Sequence, residues 1–266
     1  MTLLRFLCLS IGLGIGLFAT AAHSETINFY AAAGVKVPGE EIITAFERQT
    51  GHIVVRLYDT AGAAEEKFVA AGKTGILITT EVRINKSIKA PATDTGALQA
   101  GNILVVGDTL AGAAMSASFA QLNQGINIDT SDKLKQALLS AKSIAFSDPA
   151  RGATVGVHFM GVIEKLGIKD EVLAKSTKAK DGIETMKLVT AGEADLGITQ
   201  VSEIVQSQPK LLLGAFPKEL ELATRYSSWV ANASSDATKA LANAFGGEAG
   251  RASLAKNGLR VPERTK

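Results

Sequence analysis

The sequence predicts an α/β protein built on a mainly parallel sheet with helices on both faces. Three observations predict it. Residues 26–80 alternate twice between strand-like and helix-like patterning. Residues 143–166 repeat the same order of strand, glycine-bearing turn and helix. Aromatic residues make up only 5% of the chain while glycine occurs 26 times, a composition that suits close packing of helices on a sheet.

The elements follow in order. Ile27 and Phe29 alternate with polar residues in Thr26–Ala33, as in a first strand. The turn Gly34 to Gly39 leads to a helix over residues 40–50, with Ile42, Ile43 and Phe46 on one face and Gly51 as its stop. Ile53, Val55 and Leu57 mark a second strand. The turn Asp59 to Gly62 opens a second helix over residues 63–71, and residues 75–80 form a buried third strand. Residues 81–102 read as polar and irregular. Short strands are expected at 103–106 and 111–115, then a helix through Leu139 capped by Ser131 or Asp132. Beyond the 143–166 unit, a helix is expected at 181–191. Strands follow at 195–200, 211–216 and 223–231, and closing helices at 236–245 and 249–256.

The first 24 residues read as a targeting segment. Arg5 supplies the positive start, Phe6 to Thr20 the apolar stretch and Ala22-His23-Ser24 a small-x-small cleavage site. Export to the periplasm, with cleavage after about Ser24, is the expectation. The single cysteine, Cys8, lies inside this segment. The exported chain then has no thiol for a disulfide, a nucleophile or a metal site. Lys and Arg total 28 against 26 acidic residues, which gives no field for nucleic-acid binding. The histidines are scattered, so no metal or cofactor is expected.

The unit that starts at Ser143 is the chemical signpost. Ile144 to Phe146 is a buried strand, Asp148-Pro149 breaks it, and Arg151-Gly152-Ala153-Thr154 feeds an apolar-periodic helix. A helix start carries free N–H groups and the positive end of the helix dipole, so it is suited to an anion. Arg151 adds a full charge and Thr154 a hydroxyl. The turns at Gly34 to Lys36 and at Thr60 to Gly62 occupy the same position, beyond the carboxyl ends of parallel strands, where open α/β sheets bind ligands.

These pieces carry a resemblance. Ala31-Ala-Ala-Gly34, Phe46 to Gly51, Thr60-Ala-Gly62, Ile144 to Pro149 with Gly156, and Gly192 to Gly197 resemble type II periplasmic solute-binding proteins of the molybdate-binding (ModA-like) branch. The resemblance implies two α/β lobes around a ligand cleft. One lobe would hold residues 25–100 with 201–266, the other residues 101–200. It implies a monomer that hands a small anion to an inner-membrane ABC permease, without catalysis. It implies ligand contacts from Ala33, Gly34, Val35 and Lys36; from Thr60, Ala61 and Gly62; from Arg151, Gly152, Ala153 and Thr154; and from Thr199, Gln200 and Ser202. Molybdate binders of the branch carry a serine where this chain has Gly34-Val35, and a tyrosine near the strand that here ends Thr199-Gln200. Lys36 and Arg151 are better suited to carboxylates. The ligand expected is therefore a molybdate-type oxyanion or an organic polycarboxylate such as aconitate. The alternative reading is a secreted enzyme acting on a small organic acid, although no Gly-x-Ser-x-Gly elbow or metal spacing is present.

Overall fold

A computed structural model describes residues 24–263 except 92, 95, 99 and 100. The expected export segment, with Cys8, lies outside these residues. The strands are β1 (Thr26–Ala32), β2 (Ile53–Asp59), β3 (Ile76–Thr80), β4 (Gly101–Met115), β5 (Ile144–Ser147), β6 (Ser176–Ala179), β7 (Leu196–Gln200), β8 (Leu212–Ala215) and β9 (Ala223–Ala231). The helices are α1 (Lys36–Thr50), α2 (Ala61–Ala70), α3 (Glu81–Lys89), α4 (Ala117–Leu122), α5 (Ser131–Ser140), α6 (Thr154–Lys165), α7 (Lys169–Leu173), α8 (Gly182–Thr190), α9 (Val201–Ser207), α10 (Asp236–Gly246) and α11 (Glu248–Lys256).

The strand order is β2-β1-β3-β9-β4-β7-β5-β6, with β8 on β4. Pairings among β2, β1 and β3, and among β7, β5 and β6, are parallel. Antiparallel β9 and β4 join these two parallel halves. Two parallel halves with helical crossovers are what the strand–turn–helix alternation predicts.

Two apolar cores flank the junction. One gathers residues from Ile27 to Val106 and from Tyr226 to Leu259, including Phe29 stacked on Phe245 at 5.6 Å. The other gathers residues from Ala111 to Leu220 around Phe146 and Phe159. Each fully buried phenylalanine contributes about 1.5–3 kcal/mol. The chain passes between the cores inside β4, near residue 110, and returns near residue 222, just before β9. The lobe boundaries expected at 100 and 200 fall earlier than both passages.

Four local expectations are corrected. Residues 103–106 and 111–115 belong to one 15-residue strand, β4. Its first part pairs with β9 and its last part with β7, so each half is bounded by a different sheet and reads as a short strand. Glu81–Lys89, expected to be irregular, is a helix that buries only Ile84 and Ser87, and its apolar signal is correspondingly weak. The cap of α5 is Thr130, whose hydroxyl accepts the Lys133 N–H, and not Ser131 or Asp132. The turn residues Lys36 to Gly39 already belong to α1, with Pro38 in its first turn, where a missing N–H costs nothing.

Candidate functional site

Between the two cores lies a small cavity of about 20 Å³. Its walls come from both sides of the molecule. Ala32 and Ala33 stand at the end of β1, and Thr60 and Ala61 at the start of α2. Ser147 ends β5, and Ala153, Thr154 and Val155 start α6. Gly182 starts α8, Thr199 and Gln200 end β7, Glu203 lies on α9 and Tyr226 on β9.

The starts of α2 and α6 border this space, and the first-turn N–H groups of a helix have no partner within the helix. The cap of α6 is Ala153, which has no side-chain oxygen to occupy the first-turn N–H groups. The cap of α2 is Thr60, whose hydroxyl accepts the Ala63 N–H at 3.2 Å. The same hydroxyl donates to the Arg151 carbonyl, and the Gly62 N–H donates to the Gly152 carbonyl at 3.3 Å. The α2 and α6 entries are thus hydrogen-bonded to each other across the cleft.

Of the residues expected at the site, Thr60, Ala61, Ala153, Thr154 and Gln200 line the cavity, as do Ala33 and Thr199. The others stand behind or beside it. Gly34 packs against Tyr226: a Cβ there would lie 2.5 Å from the tyrosine Oη. Val35 is wholly buried in the first core, and Lys36 begins α1. Gly62 and Gly152 form the cross-cleft contact just described. Ser202 is buried, with its backbone N–H donating to Thr109 Oγ1 at 3.1 Å.

Arg151 is turned away from the cavity. Its Nη2 lies 3.0 and 3.1 Å from the two Asp59 oxygens, and its Nε donates to the Lys180 carbonyl. Asp59 is completely buried and also receives Lys67 Nζ at 2.8 Å. Burial pulls the Asp59 carboxyl upward, but Lys67, the Thr60 N–H and Arg151 outweigh it and hold its pKa below the ordinary value. The expectation of Arg151 as a cationic ligand contact therefore meets a competitor that the sequence did not expose: a buried aspartate of the opposite lobe.

Ala32, Ser147, Val155, Gly182, Glu203 and Tyr226 were not anticipated. Tyr226 supplies a tyrosine to the cavity, as in the branch resembled, but from β9. Its burial pushes the phenol well above its usual range, so it stays a neutral hydroxyl. Glu203 is only 8% exposed. Its Oε2 accepts the Thr199 hydroxyl and, at 3.1 Å, the Gln200 N–H. Burial, partly offset by those two donors, raises its pKa to about 7. The spacing Gln200-x-x-Glu203 at the end of a strand is half of a capping box and was the one available signal for it.

The profile of bacterial extracellular solute-binding proteins matches residues 27–260. The chain belongs to this family. Within the family it is 25% identical over 210 residues to the molybdate-binding protein ModA of Azotobacter vinelandii, which covers 74% of this chain and 73% of that protein. The fold of this solute-binding protein matches that of the periplasmic molybdate-binding protein of Azotobacter vinelandii with a TM-score of 0.70, at 17% identity, over 89% of this chain and all of the other. It also matches Peb3 from Campylobacter jejuni with a TM-score of 0.60, at 13% identity, over 89% of this chain and all of the other.

Proposed function

We propose that the protein is the periplasmic solute-binding component of an ABC importer and captures a small oxyanion in the cavity between its two lobes. The observation that carries this reading is the lining. Helix and strand ends from both lobes present backbone N–H groups and neutral hydroxyls, and no lysine or arginine is among the lining residues. Such a set binds a compact anion by many short-range donors and leaves its charge to helix dipoles. At about 20 Å³ the space as it stands holds little more than one water-sized group and leaves no room for an extended acid.

The polycarboxylate reading rested on Lys36 and Arg151. With Arg151 paired to Asp59 and Lys36 outside the lining, that reading loses its cationic contacts. Capture acts by closure of the lobes around the anion, with the α2 and α6 entries meeting once it is enclosed. The closed pair of lobes is then the form offered to the membrane partner, and the ligand leaves chemically unchanged.

A thermal-shift panel of molybdate, tungstate, sulfate, phosphate, citrate and aconitate tests this. A ligand at a hundredfold its Kd stabilises by about 2.7 kcal/mol. One or more of the tetrahedral oxyanions should raise the melting temperature, while citrate and aconitate leave it in place. Stabilisation by the organic acids alone, or turnover of any of the compounds, overturns the reading.

A further inference from the structure

A carboxyl group on the wall of an anion site needs a reason to be there. Glu203 lines the cavity together with Thr154, Gln200 and Tyr226, and its carboxyl packs flat over Gly182, where a Cβ would overlap it. Glycine at 182 is thus what allows the acid to reach the wall. Oε2 already accepts the Thr199 hydroxyl and the Gln200 N–H. No chain partner accompanies Oε1 among the described residues. The neighbouring Gln200 is 4% exposed, and its Oε1 has no hydrogen-bond partner either. Two acceptors therefore stand unpaired beside a space whose other groups attract an anion. An ionised carboxylate and an unprotonated dianion in that space would repel each other with little water to screen them.

We propose that Glu203 is a specificity-determining residue of this anion site, and that it binds the oxyanion together with one proton shared between Glu203 and a ligand oxygen. The inference rests on the function proposed above. The proton comes from solvent, so the balance is one dianion plus one proton taken up per site. A ligand that already carries an acidic hydrogen brings its own. Either way Glu203 becomes a hydrogen-bonded partner of the ligand instead of a repelling charge.

The surroundings bear on the titration. Packed against α9, α8 turns Asp181 toward Glu203 and raises its pKa further, while β9 turns the neutral Tyr226 toward the same space. β5, β7 and α6 contribute only the uncharged Ser147, Thr199, Gln200 and Thr154 to the wall. β4 gives α9 the uncharged Thr109, and β8 an apolar face. No cation acts on the carboxyl among these groups. The ligand-free acid loses its proton at about pH 7.

Calorimetric titration with molybdate, and with sulfate as a second dianion, tests the proposal from pH 6 to pH 9. Wild type should lose about tenfold in affinity per pH unit above neutrality. Repeating the titration in buffers of different ionisation enthalpy should show close to one proton taken up at high pH. Glu203→Gln, a neutral donor of the same shape, should lose the slope and bind more tightly than wild type at pH 9. Binding with no pH dependence and no proton uptake overturns the proposal while leaving the oxyanion site intact, and so does a slope that survives in Glu203→Gln. Failure of molybdate, sulfate and phosphate alike to bind at any pH overturns the oxyanion reading, and this inference with it.

Discussion

Asp59, which precedes the cavity-lining Thr60, and Glu203, which lines the cavity, are both buried and have opposite pKa shifts. Asp59 is fully enclosed but receives Lys67, Arg151 and the Thr60 N–H, so it stays ionised. Glu203 receives a hydroxyl and one N–H but no cation, and its pKa is raised to about 7. Burial alone decides neither state; the charge of the partners decides it. The ionised acid ties one lobe to the other through Arg151. The other, which titrates near neutrality, lines the cavity.

Removing Glu203's charge should have the largest effect on stability. Its pKa is about 7 folded against 4.5 as the unperturbed value, so the folded state binds more protons between those limits and stability falls as pH rises through them. Glu203→Gln should therefore stabilise the ligand-free protein by about 3 kcal/mol at pH 8, with the difference fading below pH 4.5. Urea denaturation at the two pH values reads this out, and equal stability at pH 8 breaks the comparison.

Asp59→Asn should act in the opposite direction. It removes the negative charge that Lys67 and Arg151 face and should cost about 2 kcal/mol at pH 7. Because the Asp59 pKa is lowered, its contribution is present above the ordinary 3.8 and is lost as pH falls through the lowered value. The variant should therefore match wild type in strongly acidic urea melts. Gly34→Ser, which places a side chain where Tyr226 Oη now sits, should cost about 1–2 kcal/mol by overpacking. A crystal structure of that variant with the tyrosine unmoved would deny the contact. The smallest effect is expected for Arg151→Ala. Arg151 is 38% exposed, so loss of its pair with Asp59 should cost about 1 kcal/mol of stability. A loss of ligand affinity of a hundredfold or more in this variant would restore Arg151 to the list of direct contacts.

The two acids also show what the sequence could and could not reveal. Strand alternation and glycine stops gave most elements, and the entries to α2 and α6 were visible as turns that carry Thr60 and Ala153-Thr154. These signals are local. Arg151 has its partner 92 residues away, on another lobe, and no local pattern reports that. Glu203 sits one helical turn after a strand end, where a first-turn acid ordinarily faces water. Here the absent Cβ of Gly182 lets its carboxyl pack inside instead. Tyr226 reaches the cavity because β9 returns between β3 and β4, a placement set by topology.

The site itself can be located in one measurement. Crystals grown with tungstate should give an anomalous peak inside the cavity, within hydrogen-bonding reach of the amides at Ala61 and Thr154, with Glu203 Oε1 directed at a ligand oxygen. An anomalous peak confined to the outer groove beside Arg83, Lys86 and Arg225, with the inner cavity empty, would contradict the account.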